Sequence, residues 1–269
     1  MAFVAAVPLL VTGVFFLPRE TRLALALLYT EPSILTSYAS HFVHLDLPHL
    51  LANLLVYTLV VPFSLVVSVK SGRRRRFYIV AITVLLAFPF VLSGLNLLFP
   101  RPRIGFGLSG INMAFVGYLP HVLASHLESE RLDTDTLGET VLQLGFFLGT
   151  TVIALRVALS LQPGLSAGSE WLLAAGVGSA LASILFARPI VASLRAHPHS
   201  VEEFAPPTVL FGGALFVLLV LIGFPQVSVT DGSVVNVFLH LLGYSLGYLT
   251  PYVTFRVLGV DIKALRRYR

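Results

Sequence analysis

The chain has 269 residues, of which 56% are hydrophobic and only 12% charged, and its mean hydropathy is +0.88. A soluble domain carries about 25% charged residues, so this deficit excludes an ordinary water-soluble fold and makes the membrane span, about 20 apolar residues long, the natural unit of the chain. The net charge of +5 lies in short loops between apolar runs, which argues against a nucleic-acid partner, and the absence of cysteine removes disulfides, thiolate metal sites and a cysteine nucleophile.

Taken in chain order, eight apolar runs are long enough to be read as spans: 2–17, 47–69, 77–99, 108–126, 140–161, 171–187, 207–224 and 234–256. The first lacks a basic leader and a small-residue cleavage site ahead of Pro18-Arg19-Glu20, so it is read as a retained span. The expected fold is all-α: a polytopic transmembrane helical bundle forming a single integral membrane domain over 1–269. Lys70, the run Arg73 to Arg76, Arg131, Arg188, Arg195, Arg256 and the tail cations Lys263, Arg266, Arg267 and Arg269 fall on one side, 13 in all. Arg19, Arg22, Arg101 and Arg103 fall on the other. This split makes the first side cytoplasmic, with both termini inside. Arg156 lies within the fifth run near its outer end, where it is expected to snorkel.

Polar residues inside spans are costly and are candidates for function. Three groups stand out. The first runs from His41 through His44, Asp46 and His49 to Asn53; Asp46 has the character of an N-cap, and His49 and Asn53, four apart, share a helical face with Tyr57. The second is Gly105-Phe-Gly107-Leu-Ser109-Gly110, which opens the fourth run. Glycines beside a serine admit another backbone, and a helix start offers unpaired N–H groups and a positive dipole end suited to a developing oxyanion. The third is His240-Leu-Leu-Gly243-Tyr-Ser-Leu-Gly247 in the eighth run, where the glycines form a small-x-x-x-small packing face and His240 precedes Gly243 by one turn. Each group also has a structural reading as a polar seam or a close helix crossing. Runs two, four and eight all start on the outer side. At 1.5 Å per residue, Asn53, Ser109 and His240 then lie within roughly 10 Å of the outer end of the apolar layer.

The ordered set His-x4-His-x3-Asn, Gly-x-Ser-Gly and His-x2-Gly-x3-Gly resembles the rhomboid intramembrane serine proteases, over a core within 41–256. The resemblance implies a six-helix core with about two extra spans, which fall in chain order between the serine and histidine helices. By position, Ser109 resembles the nucleophile and His240 the base of a Ser–His dyad, while His49 and Asn53 resemble the side-chain donors of the oxyanion hole. Gly107, Gly110, Gly243 and Gly247 correspond to glycines that bring the helices together, and His44 to a histidine that structures the first outer loop. Two positions depart from the pattern. Leu35-Thr36 stand where the family has a Trp-Arg pair, and Met113 stands where many members have an aromatic residue packed on the histidine.

The implied activity is cleavage of transmembrane segments of substrate proteins near the extracytoplasmic face of the cell membrane, without a metal or organic cofactor. Water would enter past His41, His44 and Asp46. Two other readings compete: a non-catalytic rhomboid-like protein that grips client helices, and a small transporter. No His-Glu-x-x-His motif appears, and three loop histidines without such spacing do not argue for a metal site.

Overall fold

A computed structural model describes residues 2–98, 104–130, 135–160, 166–196, 206–224 and 237–260. The described residues are overwhelmingly helical. In order they form α1 (Ala2–Phe15), α2 (Arg19–Leu25), β1 (Leu27–Leu28), α3 (Ile34–Ala39), a 3₁₀ turn (Ser40–Phe42), α4 (Leu47–Lys70), α5 (Arg74–Leu86), α6 (Phe88–Leu97), β2 (Ile104–Gly105), α7 (Ser109–Glu130), α8 (Asp135–Ser160), α9 (Ser166–Ala196), α10 (Pro207–Gly223) and α11 (Val237–Tyr252). A π-turn over Val253–Val257 follows α11. The all-α expectation holds, and each of the eight apolar runs contains a helix.

Among the described residues, two helical stretches are individually long and apolar enough to cross a bilayer, Leu47–Lys70 and Leu137–Arg156. A third span arises if Arg74–Leu86 and Phe88–Leu97, which meet at a 44° bend, count as one. The bend falls at Ala87 and Pro89, where proline in the first turn of α6 has no N–H to continue the ladder. The shorter apolar helices Val4–Phe15, Leu173–Arg188 and Pro207–Gly223 fall below that length.

The chain divides into two compact units. One comprises residues 1–66, 75–116 and 238–269; the other comprises 67–74 and 117–237. In the first unit, local chemistry sets the loop ahead of α4. Ser33 and Thr36 close a reciprocal capping box at the start of α3. Asp46 Oδ1 accepts the His49 N–H at 2.8 Å, so Asp46 caps α4 as its position suggests. The two short strands pair antiparallel, Leu27 with Gly105 and Leu28 with Ile104, and fasten the approach to α7 onto the segment after α2.

In the second unit α8 and α9 pack closely. Phe147 stacks on Phe186 at 5.4 Å, and a Cβ on Gly176 would touch the Ala154 Cβ at 3.2 Å. Arg156 Nε donates to the Phe224 carbonyl at 3.0 Å, so this guanidinium bonds the end of α10 where snorkelling was expected. His126 Nδ1 lies 3.3 Å from Ser71 Oγ, a contact belonging to this unit and remote in sequence from the motifs above.

Candidate active site

Every residue singled out as a site candidate belongs to the first unit. Ser109 is the first residue of α7. The first amides of any helix lack an intrahelical acceptor, which leaves the Ser109 and Gly110 N–H groups at the helix mouth. The two preceding amides are committed elsewhere. Gly107 N–H donates to the Ser40 carbonyl at 2.9 Å, and Leu108 N–H donates to His44 Nε2 at a long 3.4 Å. The turn into Ser109 is therefore held by the loop that precedes α4.

Gly107 has φ +110, a left-handed conformation that side chains rarely adopt. A Cβ there would also lie 2.7 Å from His49 Cε1 and 2.9 Å from His49 Nε2. The absent side chain is what lets the His49 ring lie against the backbone two residues before Ser109. That ring makes edge contacts with His44 at 5.0 Å and Phe106 at 5.6 Å between centroids.

Asn53 lies one turn along α4 from His49. Its Nδ2 donates to the His49 carbonyl at 3.0 Å, and its Oδ1 accepts from Asn112 Nδ2, also at 3.0 Å. Asn112 Nδ2 is shared with the Asn53 carbonyl. The second Nδ2 hydrogen of Asn53 has no partner among the described residues and remains a donor. One turn further, Tyr57 meets Phe115 edge-on at 6.0 Å. The pairings 53 with 112 and 57 with 115 advance together, so α4 and α7 run parallel.

Glycine contacts dock the histidine helix α11 on α7. A Cβ on Gly243 would collide with the Gly110 carbonyl and lie 3.3 Å from the Met113 Cβ. A Cβ on Gly247 would collide with the Ala114 carbonyl. Gly110, in turn, faces Leu239 and Leu92, each 3.2 Å from the position of a Cβ. These contacts also advance together, so α7 and α11 are parallel, and their register carries the buried His240 alongside the start of α7. Met113 is buried in the seam against Gly243.

His44 and His41 differ from expectation. Both are buried, 0% and 3% exposed, so they do not line a wet entrance; of the three groups given that role, Asp46 alone is exposed. Burial lowers the His41 pKa to about 4, partly offset by the Pro89 carbonyl. It lowers the His44 pKa to about 3, with His49 adding to the shift and Asp46 opposing it. His44 is therefore neutral. Because Nε2 accepts the Leu108 N–H, its proton sits on Nδ1, which is buried without a partner among the described residues. Ser93 Oγ donates to the Ser37 carbonyl at 2.7 Å, so the 3.1 Å contact with His41 Nε2 has the imidazole as donor.

Two contributors escaped the sequence reading. Asn112 is 1% exposed and pairs with Asn53; a polar residue three positions after Ser109 inside an apolar run was the available signal. Arg22 was counted only as an outer charge. Its guanidinium donates to the carbonyls of His44 at 2.7 Å and Leu45 at 3.3 Å and lies over the Phe15 ring at 4.7 Å. It thus clasps the loop where Leu35 and Thr36 offer no cation. Among the described residues no group of three histidine or acidic side chains is arranged to hold a metal ion. Comparison with protein-family models, curated proteins and solved structures finds no match to the chain.

Proposed function

We propose that the chain is an intramembrane serine endopeptidase of rhomboid type, an eight-span membrane protein that cuts substrate helices near the extracytoplasmic face. Ser109 attacks the scissile carbonyl. His240 takes the serine proton and returns it to the leaving amine, and water then hydrolyses the acyl-enzyme. The side chains of His49 and Asn53 and the first amides of α7 bind the oxyanion. Substrates are membrane proteins with a transmembrane helix that unwinds locally.

The observation that carries this reading is the glycine-exact docking of α11 on α7, Gly243 against Gly110 and Gly247 against Ala114. It draws a histidine helix and a serine helix to backbone contact beside a helix start. Further support comes from the placement of His49 beside Gly107 and from the remaining amide hydrogen of Asn53. A helix-gripping protein without catalysis has no need for both a serine at that mouth and a histidine on that face. A transporter fits poorly with the absence of acids from α4 and α11.

Incubation of the purified chain with a single-span reporter in detergent micelles tests the reading. Cleavage should occur with the parent and vanish with Ser109→Ala or His240→Ala, and a fluorophosphonate should label the parent on Ser109. Undiminished cleavage by Ser109→Ala would overturn it.

A further inference from the structure

Arg22 sits in the last turn of α2 and spends its charge on the main chain. Among the described residues no carboxylate forms an ion pair with it. Its Nη1 carries two hydrogens, and they go to two successive carbonyls, His44 at 2.7 Å and Leu45 at 3.3 Å. The Phe15 ring lies 4.7 Å from the guanidinium carbon, inside the ~6 Å reach of a cation–π contact, and sets the plane of the fork. An arginine serving only as an outer charge would keep its head in water. This one has a buried Nε without a partner among the described residues, and burying a polar group in that way is unfavourable. The reason for the clasp therefore lies in what the two carbonyls support.

The loop that Arg22 grips holds the α7 mouth and the start of α4. The Ser40 carbonyl accepts the Gly107 N–H at 2.9 Å, His44 Nε2 accepts the Leu108 N–H at 3.4 Å, and Asp46 Oδ1 accepts the His49 N–H at 2.8 Å. The Leu108 bond is the weak member, longer than the usual range of about 2.7–3.2 Å. The far side of the imidazole adds no restraint, because Nδ1 is buried without a partner among the described residues. The aim of His44 thus follows from its backbone. That backbone is held by the 2.7 Å bond from Arg22, a charge-assisted bond of a kind roughly twice as strong as a neutral one.

We infer that Arg22 is a positioning residue for the α7 mouth: by gripping the His44 and Leu45 carbonyls it keeps His44 Nε2 on the Leu108 N–H and so fixes the turn that leads into Ser109. It touches no reacting atom. Its bearing on turnover rests on the endopeptidase reading, whereas its hold on the turn does not. Lysine cannot replace it, since an ammonium has neither the planar face for Phe15 nor the fork for two carbonyls.

The test uses the full-length chain in detergent micelles, as the parent, Arg22→Gln and Arg22→Lys, with Arg19→Gln at an exposed position of the same helix as control. Hydrogen exchange at the Gly107 and Leu108 amides reads the turn, and kcat and KM for a single-span reporter read its consequence. In Arg22→Gln the Leu108 amide should exchange faster by about tenfold or more. Its kcat should fall on the order of 10²-fold, the effect of a displacement of about 1 Å, with KM within about twofold of the parent. Arg22→Lys should restore only a small part of either, and Arg19→Gln should match the parent in both. Unaltered Leu108 exchange in Arg22→Gln would overturn the inference, as would faster exchange with unaltered kcat. So would a raised KM with kcat intact, which marks substrate binding, or full restoration by lysine, which marks charge alone. If Arg22→Gln does not fold, Phe15→Leu keeps the guanidinium and removes the ring beneath it; both readouts should then move in the same direction by a smaller factor, and no movement would overturn the inference. A parent that cuts nothing counts against the endopeptidase reading, and the exchange measurement then decides by itself whether Arg22 holds the turn.

Discussion

At the scale of the residue, the informative feature is how few groups at the α7 mouth remain uncommitted. Gly107 and Leu108 have given their amides to the preceding loop, and Asn53 has given one amide hydrogen to its own helix. What is left is the start of α7, the His49 ring and a single Asn53 donor. Removing an oxyanion donor typically costs about 10²–10³ in turnover, so Asn53→Ala should slow reporter cleavage by about that factor while leaving the chain folded. Asn112→Ala acts indirectly. It strips the Asn53 side chain and carbonyl of their buried partner, which should cost about 1–3 kcal/mol of stability, read as a lower unfolding midpoint, with turnover impaired less than in Asn53→Ala.

The neutral histidines make a pH prediction. His41 and His44 ionise near 6.5 when unfolded but only at about 4 and about 3 when folded. The unfolded chain therefore binds more protons between those limits, and stability rises with pH across the window. It should be complete above about pH 7 and fall as pH drops from 6.5 toward 4. Unfolding midpoints at pH 7.5 and 4.5 measure the loss. It should shrink in His41→Gln, whose amide can still donate to Ser93.

At the scale of the element, α11 is defined by what it lacks. Gly243 and Gly247 face carbonyl oxygens of α7 with no room for a methyl group. Gly243→Ala or Gly247→Ala should push the helices apart, and overpacking of this kind costs about 1–3 kcal/mol. Cleavage should fall much further than stability, because it depends on the separation of two side chains. Gly13, which faces open space, is the control, and Gly13→Ala should leave both readouts unchanged. The spacing of these glycines was legible because a four-residue repeat on an apolar helix has one geometric meaning. The β1–β2 pair was not legible, since two residues on each side are too few to display alternation. Nor was the Arg22 clasp, because a guanidinium bonded to backbone carbonyls leaves no pattern in its partners' side chains. The 44° bend was open to inference from Pro89, although proline is common enough in membrane helices that its presence alone does not announce a kink.

At the scale of the whole molecule, hydropathy marked the positions of the apolar helices but not their grouping. The division at residues 66/67, 74/75, 116/117 and 237/238 cuts through α4 and α7, so no change in composition announces it. The parallel course of α4, α7 and α11 was legible by another route, since strict alternation of spans gives the second, fourth and eighth the same direction. On the eight-span reading, charge counting would add the absolute sense. A reporter fused to the carboxyl end should accordingly be cytoplasmic, and one placed between Pro100 and Arg103 extracytoplasmic; protease protection in sealed vesicles reads both.

The separation of Ser109 from His240 by 131 positions, with most of a compact unit between them, has a bearing on biosynthesis. On the proposed reading, the serine helix would enter the bilayer well before α11 exists. During that interval the hydroxyl would have no imidazole beside it, and the nascent chain would not yet be able to cut its neighbours in the translocon. Competence would then arrive in one late event, when a glycine-faced helix finds its groove.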